Sequence, residues 1–383
     1  MREGESLIFG RYCVLFATAL VASAADGPPL LRFREHTIAN DLAGGYQVVA
    51  ADLNHDGKPD LIALSTRAHE LVWFENPTWE RHVLASGVNH MINCVVAGDE
   101  IVLASEFDNV AKNSLGVVSV LRQGGDPRQP WTATEIDRIP TSHRLRLAKI
   151  DGGPPVVVNA ALTGPNAIPP DYKGVTPLVF YRPGVWKREA IRPENDGLVH
   201  GILVLDWDGG GRDEILTAGF EGIHLFKLGK GGQWTRTKLS GGNPEPWPKS
   251  GSSDVAVGRT GKERFIAAIE PWHGNHVAMY RQHGGAWQRE VLDSSLADGH
   301  TIHAADFDGD GNDEVIVGYR GGDHNLYAYR YDGERWHRQT LDDGGMGAAA
   351  CAVADLNGDG RLDIACIGSA TANLKWYENL GGR

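Results

Sequence analysis

Two kinds of side chain in this sequence have the types and spacing to do chemistry. The first are clustered carboxylates: Asp52-Leu-Asn-His-Asp-Gly-Lys-Pro-Asp60, Asp206-Trp-Asp-Gly-Gly-Gly-Arg-Asp-Glu214, Asp306-Phe-Asp-Gly-Asp-Gly-Asn-Asp-Glu314 and Asp355-Leu-Asn-Gly-Asp-Gly-Arg-Leu-Asp363. Oxygens at alternate positions of a short loop converge on a hard cation such as calcium, which takes about six to eight of them, while glycine permits the tight turn. Three loops present complete sets: Asp52, Asn54, Asp56 and Asp60; Asp306, Asp308, Asp310 and Glu314; Asp355, Asn357, Asp359 and Asp363. The loop at Asp206 has Gly210 in place of the third ligand and is the weakest candidate. The second kind are the histidines, 15 in all. His200 and His300 each lie six residues before a loop aspartate, and between them runs Glu270-Pro-Trp-His-Gly-Asn-His276. Imidazoles gathered with a carboxylate hold zinc or another divalent metal, or move protons near neutral pH.

The elements that must position these groups follow from the period. The loop aspartates at 52, 206, 306 and 355 are separated by close to three, two and one times a unit of about 50 residues. Trp79, Trp131, Trp186, Trp234, Trp287 and Trp336 each open a strand-like segment and mark the intervening units, and Phe33-Arg-Glu-His-Thr-Ile38 supplies the segment the last unit lacks. Each unit reads as four strands with the acidic loop between the first two; in the sixth these are His300 to Ala305, Glu314 to Tyr319, Asn325 to Arg330 and Trp336 to Leu341. The expectation is an all-β, seven-bladed β-propeller of four-stranded blades, its ring closed by an N-terminal strand that completes the last blade. One propeller domain at 25–383 then replaces the two or three domains that 383 residues would otherwise suggest. At these residues the chain resembles the FG-GAP/VCBS repeat family, known from integrin-type propellers and many secreted bacterial proteins.

In such a ring the loops into the innermost strands and the loops between second and third strands open on one face, the default pocket, and the acidic loops lie on the other as structural calcium sites. His90, His143, His200, His300 and His303 fall near the starts of innermost strands, and His273 and His276 fall in a second-to-third-strand loop. His200, His273, His300, Arg320 and Tyr172 are the catalytic candidates, and Glu270, His276 and His303 are candidate ligands of a zinc or other divalent metal in the pocket. Trp272, His90, His143, Glu106 and Glu221 are placed as substrate-binding groups, with Trp272 suited to stacking on a sugar ring. The proline-rich insertion from Thr163 to Thr176 reads as a lid or wall of the pocket.

His200-Gly-Ile, Phe220-Glu-Gly-Ile-His-Leu-Phe226 and Pro271-Trp-His-Gly-Asn-His276, together with the acidic repeat, resemble the propeller domain of aldos-2-ulose dehydratase and related carbohydrate lyases. That resemblance implies a secreted or periplasmic lyase or dehydratase acting by β-elimination on an oxidised sugar or a uronate-containing glycan: a base removes the proton beside a carbonyl or carboxylate, and a metal or arginine steadies the enolate. The alternative is a propeller that binds a glycan or protein partner without chemistry; adhesion has no need of several imidazoles about one axis. A hydrolase using Glu106, Glu221 or Glu270 is a third reading, which requires a defined carboxylate separation.

The rest of the chain sets limits. Residues 1–24, with Arg2, Arg11, an uncharged stretch from Tyr12 to Ala22 and the small residues Ala22-Ser23-Ala24, read as a signal peptide cleaved after Ala24. No later stretch is apolar for long enough to span a membrane. Removing Cys13 with the leader leaves Cys94, Cys351 and Cys366, an odd count in apolar surroundings, which points to buried free thiols. The net charge of −12 argues against nucleic acid or an anionic membrane as partner. A monomer acting on carbohydrate is expected.

Overall fold

Short apolar strands separated by glycine turns assemble into seven antiparallel four-stranded sheets in the computed structural model, which describes Met1 and residues 31–381. Blade 1 runs Gly45–Ala51, Asp60–Ser65, Glu70–Glu75, Glu80–Ser86, and blade 2 runs Asn93–Ala97, Glu100–Ser105, Val117–Arg122, Thr132–Arg138. Blade 3 is Ser142–Ala148, Val156–Ala161, Leu178–Tyr181, Arg188–Ala190, and blade 4 is Val199–Leu205, Glu214–Gly219, Gly222–Leu228, Trp234–Ser240. Blade 5 is Asp254–Thr260, Glu263–Glu270, His276–His283, Ala286–Asp293, and blade 6 is Gly299–Ala305, Glu314–Tyr319, Leu326–Tyr331, Trp336–Asp342. Blade 7 takes Ala348–Ala354, Asp363–Gly368 and Leu374–Asn379 from the C-terminal end and pairs the last of these with Phe33–Ala39. Residues 2–24 of the expected signal peptide lie outside the described residues.

Sequence periodicity explains how the sheets stack. Second strands such as Asp60–Ser65, Val156–Ala161 and Glu314–Tyr319 are buried along their whole length, because a sheet lies on each side of them. The fourth strands, such as Thr132–Arg138, are largely exposed. A separate apolar cluster fills every junction between neighbouring blades, including Leu42, Val48 and Leu61 of blade 1 against Leu356, Ala365 and Ile367 of blade 7. Each fully buried Leu, Ile or Phe in these junctions contributes roughly 1.5–3 kcal/mol.

One expectation is overturned in blade 7. Cys351 and Cys366 are direct cross-strand partners, 4.1 Å apart at Cα, and form a disulfide, leaving Cys94 as the free, buried thiol among the described residues. The apolar surroundings were real, but the register of the two strands sets the sulfurs against each other. The described residues contain no helix long and apolar enough to cross a membrane.

Candidate active site

The innermost strands of all seven blades line the axis, and a repeated backbone irregularity decides what points into it. In blades 1, 3, 4, 6 and 7 the first strand carries a bulge against the second at its opening residues, and the residue inside the bulge is Tyr46, His143, His200, His300 or Ala349. A bulge adds one residue and re-aims its side chain, a device common beside active sites. Close approach of neighbouring strands completes the arrangement. A Cβ on Gly201 would lie 2.5 Å from Asp254 Oδ1 and 2.9 Å from the Ser253 carbonyl, so glycine beside His200 lets blade 4 meet blade 5.

Two cavities lie along this axis. The outer one, about 640 Å³, is lined by His90, His143, His200, His273, Trp272 and Arg320 among others; the inner one, about 360 Å³, is lined by Arg144, Arg146, Asp254, His300 and His303 among others. Tyr46 borders both. At their junction the imidazoles of His200, His273 and His300 have ligand nitrogens within 4.8 Å of one another. His200 Nε2 and His273 Nε2 are 3.2 Å apart. Two nitrogens at 2.0–2.1 Å on a tetrahedral metal stand about 3.3–3.4 Å apart, so this spacing fits a shared ion and equally a hydrogen bond between the two rings.

The distal ring nitrogens are anchored as metal-binding histidines require. His200 Nδ1 faces the Ser253 carbonyl at 3.2 Å and His300 Nδ1 faces the Ala349 carbonyl, which leaves both Nε2 lone pairs directed at the cluster. His300 Nε2 is buried and has no hydrogen-bond partner. His273 Nδ1 lies 3.4 Å from Asp298 Oδ1 and 3.1 Å from Arg320, which itself forms an ion pair with Asp298 at 2.9 Å. Arg320 donates to His273 Nδ1, so in this arrangement the His273 proton sits on Nε2 and faces His200 Nε2; ligation by all three Nε2 atoms takes the other tautomer, with Nδ1–H turned to Asp298. Burial is the main cause that holds His143, His200 and His300 far below the usual imidazole range, with Arg144 and neighbouring imidazoles or Arg320 adding to it. His273 is lowered to about 3, by burial and then by Arg320 and Arg144. All four rings are therefore neutral, the form that binds metal.

A second functional pair sits beside this cluster. Tyr46 Oη is 2.8 Å from His143 Nε2, and Arg144 reaches both that nitrogen and the phenol oxygen at 3.4 Å. A neutral imidazole bonded to a phenol is an acid–base relay. Trp272 stacks beside His273 with ring centroids 4.7 Å apart, and its indole Nε1 is buried without a partner.

The other sequence candidates are placed as follows. Tyr172 is buried under Trp272 and against Phe220, so it anchors the insertion rather than meeting the imidazoles. Trp247 donates to the Asp171 carbonyl at 2.7 Å, which makes the Thr163–Thr176 segment a packed wall. Glu270 is fully buried within blade 5, bonded to Ser252, Tyr280 and Arg289, and His276 pairs with it in the strand register; neither joins the imidazole cluster. His303 lies deeper in the channel against Thr301, held down to about 4 by burial. His90 lines the outer cavity, Glu106 accepts from Asn89 on the rim at 3.1 Å, and Glu221 is engaged by Arg236 and the Asp196 amide. Tyr46, Arg144 and Asp298 were missed by sequence reasoning. Tyr46 carried a usable signal, because it lies six residues before Asp52, as His200 and His300 do before their own loop aspartates.

The four acidic loops divide into two kinds. In each, the first aspartate accepts backbone N–H groups of its own turn, and Asp60, Glu214, Glu314 and Asp363 accept the N–H of the loop's second residue. The third strands bring Glu75, Lys227, Arg330 and Glu378 to one register position, each following the residue paired with Leu61, Ile215, Val315 or Ile364. In blade 6, Asp306, Asp308 and Glu314 gather within 4.8 Å, but buried Arg330 bonds Asp308 and lies 3.8 Å from Glu314. In blade 4, Lys227 pairs with Asp208 and stands 3.7 Å from Glu214. Blades 1 and 7 instead present a carboxylate there, Glu75 at 3.0 Å from Asn54 Nδ2 and Glu378 at 3.5 Å from Asn357 Nδ2. Blades 4 and 6 thus hold a cation of the chain between their loop carboxylates, whereas in blades 1 and 7 an added carboxylate stands there and the chain's cations meet the set from outside, Arg128 at Glu75, Arg34 at Glu378 and Arg361 at Asp359.

Comparison with known proteins follows the same lines. Residues 115–283 match the beta-propeller domain of aldos-2-ulose dehydratase, residues 306–366 an FG-GAP-like repeat and residues 44–66 an FG-GAP repeat. The chain is thus a seven-bladed β-propeller carrying FG-GAP repeats. Its particular likeness is to aldos-2-ulose dehydratase of Phanerodontia chrysosporium, 31% identical over 245 residues, which cover 54% of this chain and 26% of that protein. The match therefore spans about a quarter of that relative's length. The first matched stretch holds His143, His200 and His273, and His300 lies beyond it. Among solved structures, Sqt1 of Saccharomyces cerevisiae aligns with a TM-score of 0.55 at 8% identity over 87% of this chain and 84% of that one. An ancestral GH74 enzyme aligns with a TM-score of 0.56 at 12% identity over 90% and 47%. These two share the fold.

Proposed function

We propose that this propeller is an exported, divalent-metal-dependent carbohydrate lyase that dehydrates an oxidised sugar or uronate by β-elimination. The observation that carries the reading is the convergence of three neutral imidazoles beside the Tyr46–His143 pair in a polar pocket. The likeness of the central blades to the aldos-2-ulose dehydratase propeller supports it. A metal held by His200, His273 and His300 supplies Lewis-acid polarisation of a carbonyl oxygen when bound.

The chain's own groups account for the proton movements. Neutral His143, working through the Tyr46 hydroxyl, accepts the proton from the carbon next to the carbonyl. The electron pair left behind forms the carbon–carbon double bond as the β-hydroxyl departs. The Tyr46–His143 pair returns the proton to that hydroxyl, which leaves as water, so the pair ends in its starting state. Such positioned proton transfer is worth roughly 10²–10⁴-fold in rate. Trp272 forms one side wall for the ring, and the wall anchored by Tyr172 and Trp247 limits access of water from blades 3 and 4. On this reading calcium occupies the loops of blades 1 and 7 and serves the frame.

The test is to load purified protein with zinc, manganese or cobalt, incubate it with ketosugars and uronates, and follow the ultraviolet absorbance of the conjugated product. Absorbance should grow with the native protein and be lost in His200→Ala and His300→Ala, which should also lose about one equivalent of bound transition metal. No product on a broad panel from metal-loaded protein would sink the lyase.

A further inference from the structure

Arg144 occupies an unusual position. Its residue is 6% exposed, it follows His143 on the innermost strand of blade 3, and it lines the inner cavity beside Tyr46, which borders the outer pocket as well. Its neighbours at hydrogen-bond range are Tyr46 Oη at 3.4 Å, His143 Nε2 at 3.4 Å and His200 Nε2 at 3.5 Å, all neutral groups at long distance. The other buried arginine, Arg330, is matched by Asp308, and half-buried Arg289 and Arg320 by Glu270 and Asp298. No carboxylate among the described residues stands within ion-pair distance of Arg144. Arg146, two residues on, bonds the Leu145 carbonyl at 2.9 Å and Asn93 at 3.4 Å, again without a carboxylate. The nearest acid on the channel wall, Asp254, uses its Oδ1 to accept the Val255 amide at 2.9 Å, and burial pushes its carboxyl up against the pull of both arginines.

A buried cation without a counter-ion costs several kcal/mol, and a fold retains one where a ligand provides the missing charge. The cost is greater on the reading above, because His200 belongs to the metal cluster and a second cation would stand beside Arg144. The wider field agrees. A protein of net charge −12 keeps two unpaired guanidiniums on its axis, which focuses an attractive potential at the pocket floor.

We propose that Arg144 is the anchor for a substrate carboxylate, so that the ligand of this pocket is a sugar acid rather than a neutral sugar. A planar carboxylate matches the guanidinium fork, and Tyr46 keeps its hydrogen bond to His143. The sugar ring then extends outward past the imidazoles toward Trp272. The assignment rests on the lyase reading for the identity of the ring, but the carboxylate contact stands without it.

The test uses the full chain and two probes that differ only in charge, D-glucuronate and its methyl ester, titrated calorimetrically with and without zinc. Native protein should bind the acid at least tenfold more tightly than the ester. Arg144→Gln should bring the two within about twofold of each other, and Arg144→Lys should retain part of the preference. A melting experiment without ligand separates this role from a structural one: Arg144→Gln should melt at the same temperature as native protein or higher, because it removes an unpaired buried charge. Equal affinity of the native protein for acid and ester would overturn the proposal, as would a large melting loss in Arg144→Gln with the preference intact. Turnover of neutral ketosugars with no preference for acids would remove the anchor and leave the lyase. Tight, Arg144-dependent binding of glucuronate with no product from any sugar would remove the lyase and leave the anchor.

Discussion

Lowering the pH from about 7.5 to about 5.5 should destabilise this protein far more than its surface charges would. Six imidazoles are buried in the neutral form. His143, His200 and His300 are held well below their ordinary range, His224 and His273 near about 3 and His303 near about 4, with burial the largest cause in each. In the unfolded chain they titrate near about 6.5. The unfolded state therefore takes up protons below that pH while the native state does not, so stability is complete above about 6.5 and falls as acid is added. Each group loses about 1.4 kcal/mol over this window, about 8 kcal/mol for six. Carboxylates raised by burial act in the other direction, Glu214, Asp254, Glu270, Asp313 and Asp363 among them. Asp60 and Glu314, pushed up by burial to about 6 and about 8, take up protons in the native state. Their gain is about 3 kcal/mol. The net loss is at most about 5 kcal/mol, to be set against the roughly 5–15 kcal/mol that holds a typical domain together. Urea unfolding followed by tryptophan fluorescence in chelator measures it directly, and His303→Gln should recover about one sixth of the histidine part. An unfolding midpoint that does not move between the two pH values would refute the reasoning.

Two further outcomes follow from the loops and the thiols. Asp308→Ala should lose about 3–5 kcal/mol, because it strands Arg330 in a site where that residue is 4% exposed, yet leave the calcium response of the melting temperature unchanged. Asp355→Ala should lower the calcium-induced rise and alter metal-free stability little, and equal calcium responses in the two variants would contradict the division between blades. Alkylation of unfolded, unreduced protein should label Cys94 and spare Cys351 and Cys366, with all three labelled after reduction; peptide mass analysis decides.

The blade period was readable because every unit repeats the same local chemistry: an acidic turn, then a tryptophan opening the outer strand. That period puts His200, His273 and His300 on one face of the ring, and the bulges bring His200 and His300 to its axis. What escaped was whatever depended on register to a single residue. Neighbouring residues of a regular strand point to opposite faces, so His143 and Arg144 would be assigned opposite sides, but the bulge at this point lets both face the axis. The pairing of Cys351 with Cys366 escaped for the same reason, since a slip of one residue would have separated them. Glu270 looked like a ligand from its place beside His273, but its strand turns the side chain into the blade, where Arg289 meets it. Asp298 had no signal of its own and acquires its place from the turn that sets it against Arg320 and His273.

The bulge shared by blades 1, 3, 4, 6 and 7 gives the axis five equivalent sockets, each filled by a residue whose backbone is held by a separate sheet. Exchanging one occupant leaves the other four sheets undisturbed. The present occupants are a phenol, three imidazoles and the methyl group of Ala349, and the last leaves an empty seat at the edge of the cluster. A histidine or aspartate installed there would add a ligand or a proton carrier without redesigning any wall. In such a ring, chemistry can drift one socket at a time while the frame is inherited unchanged.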